Sequence, residues 1–567
     1  KTDRQRHTDR ERARLRPAWS ITLVTLMIVF GSLWASAATT TATPATVAAP
    51  VLKWQRGGCG ASSCEQGWYN SPAVADLDGD GEPEIIWAAS TVFALNGSDG
   101  SVQWAADPVG GRSWPSVAVA DLEGDGTFEV MTGHEDGFFH VHDHTGSLLW
   151  SRQPYPASLN YEIRSVAVAD LEVDGDLEVV FANTFQDDQW WVYEHNGVLR
   201  AGDWPQHEPD GNLNGYTRFA LNQNIGIGDV DGDGRAEIIG STNYANGNIP
   251  AFHDDGTQML AHEMYGANPD GSNRVWSRVR VFEDHALDLN PTDDCRRGAK
   301  ASFGYSPPTV ADVNGDGVYE IVIVSSFIDC GDHVYEKPFI LNADRTRWAA
   351  DGYDWTVLPA TEPDSAPLSQ DESVIELSMP NAVAADLDGD GLLEILYASY
   401  DGRVHAYWLD RTQHGDWPYP VYDASEGFYR FASEPVVVDL DGDGLAEVLF
   451  ASWPEKGGNR TGKLHIVNYL GELLHEVPLP APFGGNWNGG LAAPTVDNAD
   501  GDPDMEVVLG TARSGVVVYD LPGTSGARPH WPTGRGSYLR AGLAQPPTVP
   551  APPEATIYMP LAVRSSP

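Results

Sequence analysis

The chain has 567 residues, with 81 Asp and Glu against 35 Lys and Arg, and a formal net charge of −46 at pH 7. A surface this acidic is repelled by phosphate backbones and anionic lipid, so nucleic acid is excluded as a partner. With 41% hydrophobic residues, 19 Trp, 21 Tyr and 59 Gly, the composition also excludes a disordered chain or a coiled coil and points to a folded protein with many turns.

Residues 1–37 are expected to be an export signal or signal anchor. Arg10, Arg12, Arg14 and Arg16 precede an uncharged run from Ala18 to Ala38, and Ala35-Ser36-Ala37 fits a small-residue cleavage site. Whether cleaved or kept as an anchor, the segment places the remainder outside the cytoplasm, secreted or at the cell surface, with membrane contact only through that anchor. Residues 38–50 read as a linker. Four cysteines follow, Cys59, Cys64, Cys295 and Cys330, with no CxxC spacing. An oxidising compartment favours disulfides over zinc, with Cys59–Cys64 and Cys295–Cys330 as one of three pairings.

From residue 51 to residue 543 one line returns eight times. It reads SPAVADLDGDGEPEII at 71–86, PSVAVADLEGDGTFEVM at 115–131, RSVAVADLEVDGDLEVV at 164–180 and IGIGDVDGDGRAEII at 225–239. The series continues with PPTVADVNGDGVYEIV at 307–322, PNAVAADLDGDGLLEIL at 380–396, EPVVVDLDGDGLAEVL at 434–449 and APTVDNADGDPDMEVV at 493–508. Each unit has a short Val/Ala strand, an acidic loop and an Ile/Val/Leu strand. A third strand with a Gly turn commonly follows, and often a fourth ending in Trp, as in SVQW and SLLW. Four short strands per unit define a propeller blade. The expected fold is therefore all-β: a single β-propeller of about eight four-stranded blades, with seven as the alternative.

Val51-Leu52-Lys53-Trp54 resembles an outer strand standing before the first unit, which would close the ring, but His530-Trp531-Pro532 offers a rival closing strand. The units lie 45 to 59 residues apart except between Asp229 and Asp386, where spacings of 83 and 74 demand long projecting loops. Residues 544–567 form a Pro-rich linker and a short apolar tail.

The acidic loop follows D-x-[DEN]-x-D-G-x-x-E. Acids at alternate positions of a tight turn aim their oxygens at one point, Gly at the sixth position allows the bend, and the ninth residue closes the cage. Like charges about 4 Å apart repel by about 4 kcal/mol per pair at an effective dielectric near 20, so without a cation the cage opposes its own turn. Six to eight oxygens in tolerant geometry suit calcium better than magnesium or zinc, and the EF-hand is excluded because its last acid stands at position twelve. The candidate ligands are Asp76, Asp78, Asp80 and Glu84; Asp121, Glu123, Asp125 and Glu129; Asp170, Glu172, Asp174 and Glu178; and Asp229, Asp231, Asp233 and Glu237. Three further sets are Asp312, Asn314, Asp316 and Glu320; Asp386, Asp388, Asp390 and Glu394; and Asp439, Asp441, Asp443 and Glu447. The eighth loop departs: Asp497 needs a one-residue insertion to align with Asp500, Asp502 and Glu506, and Pro503 replaces the glycine. Seven calcium ions are expected, eight if this loop also loads.

These repeats resemble the FG-GAP/VCBS type, the family that includes the propeller of integrin α chains, over nearly all of residues 51–543. The literal FG and GAP words are largely missing, which sets the likeness nearer the bacterial, exported members. The resemblance implies calcium in hairpin loops on one face of a propeller and a surface, adhesion or carbohydrate-related role.

Other features compete with that reading. His140, His142 and His144 share one face of a strand, but His142 aligns with Tyr193 and Phe252, a packing position. Tyr265, Trp276, Trp348, Tyr353 and Trp355 lie outside the repeat pattern and either stack on sugars or pack the insertions. No GxSxG, HExxH or phosphate loop occurs. The leading expectation is a monomeric, non-catalytic extracellular module binding a protein or glycan. The alternative is a polysaccharide-active enzyme such as a calcium-dependent rhamnogalacturonan-type lyase, with Arg274, Arg278, Arg280, Arg296 and Arg297 as the nearest cations for a uronate.

Overall fold

The computed structural model describes residues 47–546, apart from 60–63, 66, 68, 160, 185–187, 208–224, 242–248, 269–270, 291–298, 330–331 and 483–485. The expected export segment, the tail beyond 546, Cys295, Cys330, Arg296 and Arg297 lie outside the described residues. Among the described residues no helix is long and apolar enough to cross a membrane.

Eight small antiparallel sheets form the ring. In the first, Ala73–Ala75, Glu84–Ala88, Val92–Asn96 and Val102–Ala106 run in order from the axis outward. The second strand of each blade is apolar on both faces, as in Ile85-Ile86-Trp87, because each sheet is covered by a neighbour on either side. Inner strands touch from blade to blade, and Thr495–Asp497 of the eighth meets Ala73–Ala75 of the first. Blades three and four have three-stranded ladders among the described residues. Their outer edges are completed by single bridges such as Tyr193 to Leu199 and Phe252 to Gln258.

The N-terminus closes the ring. Val51–Arg56 pairs antiparallel with Gly515–Leu521 as the outer strand of the eighth blade, so that blade joins both ends of the propeller and removes an open edge. The rival candidate has a different place. Arg528–Trp531 pairs with Val436–Asp439, the innermost strand of the seventh blade, and stands between it and the inner strand of the sixth.

From there the chain lines the axis. The backbone N–H groups of Val496, Val119, Val168, Ile227 and Val310, each on a different inner strand, donate to the carbonyls of Pro532, Tyr538, Leu539, Ala541 and Gly542 at 2.8–3.1 Å. Two fully buried arginines anchor it. Arg540 donates to the carbonyls of Val117, Gly534, Ser71 and Pro72 at 2.8–3.2 Å. Arg535 donates to Thr309 Oγ1 at 3.3 Å and Ile225 O at 3.2 Å, and also contacts Pro308 O. Glu434 accepts from Arg535 N at 2.7 Å, Trp531 Nε1 at 3.1 Å and Asn381 Nδ2 at 2.6 Å. Inner-strand groups that would line an open channel are thus satisfied by protein.

A second device holds neighbouring blades together. A tryptophan on the outer side of one blade donates its indole N–H to a turn carbonyl of the next: Trp54 to Gly97, Trp104 to His144, Trp150 to His195, Trp204 to Asp254, Trp276 to Ala343, Trp355 to Leu409 and Trp417 to Tyr469, all at 2.8–3.0 Å. The ring lies so close to the receiving turn that a Cβ on Gly146 would stand 2.6 Å from Trp104. Trp276 and Trp355 belong to this series. They are fully buried, and Trp348 and Tyr265 are nearly so. The two readings left open by the sequence are resolved for these four residues in favour of packing, because the insertions precede the outer strand and push its tryptophan out of sequence register.

Cys59 and Cys64 are backbone register partners in a two-residue hairpin ladder. His140 and His142 are buried, His140 Nε2 lies 2.7 Å from Val109 O, and burial pulls His142 down to about 4, leaving neutral packed imidazoles.

Candidate metal centres

In every blade the acidic loop joins the inner strand to the second strand, so all eight loops emerge on one face of the ring. Their geometry repeats closely. In loops one to seven the first aspartate (Asp76, Asp121, Asp170, Asp229, Asp312, Asp386, Asp439) accepts backbone N–H groups from across its turn, including that of the sixth-position glycine, at 2.7–3.1 Å. The fifth-position acid accepts the N–H two residues on, as Asp80 does from Glu82 at 2.9 Å and Asp390 from Leu392 at 2.8 Å. The ninth-position glutamate accepts the N–H of the residue after the first aspartate at 2.8–3.1 Å. These bonds fold each loop around a common centre.

Carboxylate oxygens converge. One atom from each of Asp76, Asp78 and Glu84 lies within 4.8 Å of the others, and the same holds for Asp229, Asp231 and Asp233 and for Asp386, Asp388 and Glu394. In the fourth blade His253 joins Asp231 and Glu237 on the same criterion, with Nδ1 3.3 Å from Glu237. Third and fifth positions are mostly exposed or half-buried, whereas the ninth-position glutamates are all buried.

That burial shapes the electrostatics. Removal from water, reinforced by the aspartates of the same loop, pushes Glu129 and Glu320 up to about 7, Glu447 to about 8 and Glu394 to about 9, against the pull of the donated N–H. Glu84, Glu178 and Glu237 move in the same direction, with burial as the leading cause. Glu394 Oε1, Asp388 Oδ1 and Asn314 Oδ1 are buried oxygens with no hydrogen-bond partner. A buried acceptor without a donor is costly, by about 1–3 kcal/mol, and an all-oxygen donor set of this kind suits a hard dication.

The eighth loop corrects the sequence alignment. Ala499 N donates to Glu506 Oε2 at 2.8 Å, the bond made by Leu77 to Glu84 in the first loop. Asn498 therefore holds the first position, no insertion is needed, and Asp500, Asp502 and Glu506 follow in register. Asp497 instead points to the axis and accepts the Tyr538 hydroxyl at 2.7 Å. Asn498 masks the repeat in the sequence, since an amide replaces the first acid and the neighbouring Asp497 mimics it.

On the face opposite the loops lie the connections that enter each inner strand. There Trp114 has the guanidinium carbons of Arg112 and Arg164 each 4.2 Å from its ring centroid, with Tyr69 5.2 Å away. The sequence hid this group, because its members come from three blades. Arg274, by contrast, donates to Ala267 O at 2.7 Å within its own insertion.

Fold and loops together define a β-propeller built from blades with one acidic loop each. Two family models match, FG-GAP-like repeat over residues 386–450 and FG-GAP repeat over residues 68–103. The chain is thus a β-propeller that carries FG-GAP-type repeats in these two stretches. No curated protein matches it in sequence. Among solved structures it is similar to the computationally designed Ika8 protein, at 12% identity and a TM-score of 0.45 over 83% of this chain and 99% of that one. It is also similar to the V. cholerae biofilm matrix protein Bap1, at 15% identity and a TM-score of 0.36 over 88% and 97% of the two chains. A third is the exotype rhamnogalacturonan lyase YesX, at 16% identity and a TM-score of 0.45 over 89% and 83%.

Proposed function

We propose that the protein is an exported propeller whose acidic loops bind calcium and whose opposite face binds an extracellular protein or glycan without transforming it. The observation that carries the calcium reading is the buried ninth-position glutamate, repeated in every blade beside aspartates of its own loop and, in blade six, left with an oxygen that no protein donor satisfies. Each ion would take its oxygens from positions one, three, five and nine, and would supply the positive charge that the loop lacks. Calcium on this reading stiffens the ring rather than reacting.

The ligand-binding part rests on the group around Trp114. In so acidic a chain, two guanidinium groups set against one half-buried indole, beside Tyr69, offer a surface for stacking and for acidic groups. The test is a glycan and extracellular-matrix protein array probed with calcium-loaded protein, in parallel with Trp114→Ala. Capture of a ligand lost in the variant supports the reading. Capture unaffected by the substitution moves the site elsewhere, and release of an unsaturated uronate from a bound polysaccharide places the protein among the lyases instead.

A further inference from the structure

The eight loops are not equivalent, and the difference lies in what approaches the ninth glutamate from the outer strand. In four blades that strand carries a β-bulge, in three of them at the residue before its tryptophan. The register skips Gln103 between Val102 and Trp104, Leu149 between Leu148 and Trp150, Lys53 between Leu52 and Trp54, and Leu474 between Leu473 and His475. A bulge re-aims its side chain. Leu149 and Leu474 remain exposed. Gln103 Nε2 donates to Glu84 Oε1 at 2.5 Å, which fixes where a bulge residue reaches.

Lys53 stands at the same position over the eighth loop. Its ammonium lies 2.9 Å from Glu506 Oε1, contacts Asp500 Oδ2 and is 3.9 Å from Asp502 Oδ2. These are positions nine, three and five of that loop. In the third blade Arg200 does the same by another route: its guanidinium is 2.5 Å from Glu172, 3.7 Å from Glu178 and 3.5 Å from Glu194, and Asp254 of the next blade holds it at 3.2 Å. Glu172, Glu178 and Glu194 are among the carboxylate groups whose oxygens converge within 4.8 Å. Both basic side chains are largely buried, at 19% and 7% exposure. The same two loops carry the sequence departures. The third has Val173 where the other loops have glycine at the fourth position, and the eighth has Asn498 at the first position and Pro503 at the sixth.

We infer that blades three and eight carry their own cation, Arg200 and Lys53, in the place where the other loops take a metal ion, so that six of the eight loops bind calcium. Lys53 belongs to the closing strand, and its ion pairs to Glu506 and Asp500 tie the N-terminal strand to the loop of the blade it completes. The seam of the ring is thereby fastened without calcium, while the loops away from it, the third excepted, depend on the ion.

The count of six rests on the calcium reading above; the built-in cations themselves do not. Native mass spectrometry in calcium is expected to show six bound ions on the wild type and seven on Arg200→Gln. Seven or eight ions on the wild type, or an unchanged count on the variant, overturns the inference. No ions at all overturns the calcium reading, and the second arm then decides. In excess chelator, Lys53→Met and Arg200→Gln are each expected to lower the melting temperature by several degrees, because each leaves buried carboxylates uncompensated. Unchanged melting of both variants in chelator overturns the built-in cations even if the ions are absent, and failure of either variant to fold in chelator counts as the expected loss.

Discussion

The axis of the propeller and its acidic face meet the same electrostatic problem from opposite sides. At the axis two buried guanidinium groups donate chiefly to carbonyl oxygens that the inner strands hold ready, and of their nitrogens Arg535 Nε alone has no partner, so the charge is met by protein. On the acidic face a buried glutamate sits beside aspartates of its own sign, and among the described residues a lysine or arginine reaches it only in blades three and eight, while in blade four His253 does so. The lesson is that one ring uses two kinds of closure: an internal one made by the protein itself and, on the proposed calcium reading, an external one that a dissolved cation would complete.

The largest expected effect separates the two. Arg540→Met is expected to destabilise the protein by about 3 kcal/mol or more, since several buried carbonyls lose a charged donor. Its loss of melting temperature should be the same in calcium and in chelator, and a loss that calcium repairs would break the distinction between axis and face.

Next in size is Glu394→Gln, which should act with opposite signs. In calcium it removes a ligand and lowers the melting temperature. In chelator at pH 8 it removes a carboxyl, pushed up to about 9 by burial, that must take up a proton when the chain folds, and raises stability by about 2 kcal/mol. Equal effects in both conditions would remove the loop from the metal-dependent set.

Smaller effects probe the scaffold shared by both regions. Gly146→Ala places a methyl group against the Trp104 ring at a backbone φ of 80°, and chemical denaturation should register a loss of about 1–3 kcal/mol. Val173→Gly should do the reverse. Val173 is a β-branched residue at φ 61°, and glycine there should add about 1 kcal/mol. No gain on denaturant titration would mean that the third loop adopts another backbone.

The repeat made the ring legible in the sequence, since the acidic loop and its flanking apolar runs recur in every unit, and the candidate positions of the first seven loops could be written from spacing alone. What escaped was everything that occurs once. The axial segment around Arg535 and Arg540 has no periodicity and pairs with strands up to several hundred residues away. Lys53 finds Glu506 only after the ring closes. The tryptophan series was legible where outer strands are short, as at Trp104 and Trp150, and lost at Trp276 and Trp355, where insertions displace it. Asp497 lies one residue before the first loop position and obscures the register in the sequence, while its side chain accepts the Tyr538 hydroxyl.

The most direct test of the central claim is the melting temperature of the protein with calcium and with chelator at pH 5 and pH 8. In chelator the ninth-position glutamates have folded values raised above the unfolded value near 4.5, so the native state holds more protons and stability falls as pH rises from there through about 7 to 9. Calcium binds the ionised form, so its stabilisation should be large at pH 8 and shrink toward pH 5. The account predicts that the chelated protein melts higher at pH 5 than at pH 8 and that calcium reverses the order; melting that ignores calcium at both pH values would contradict it.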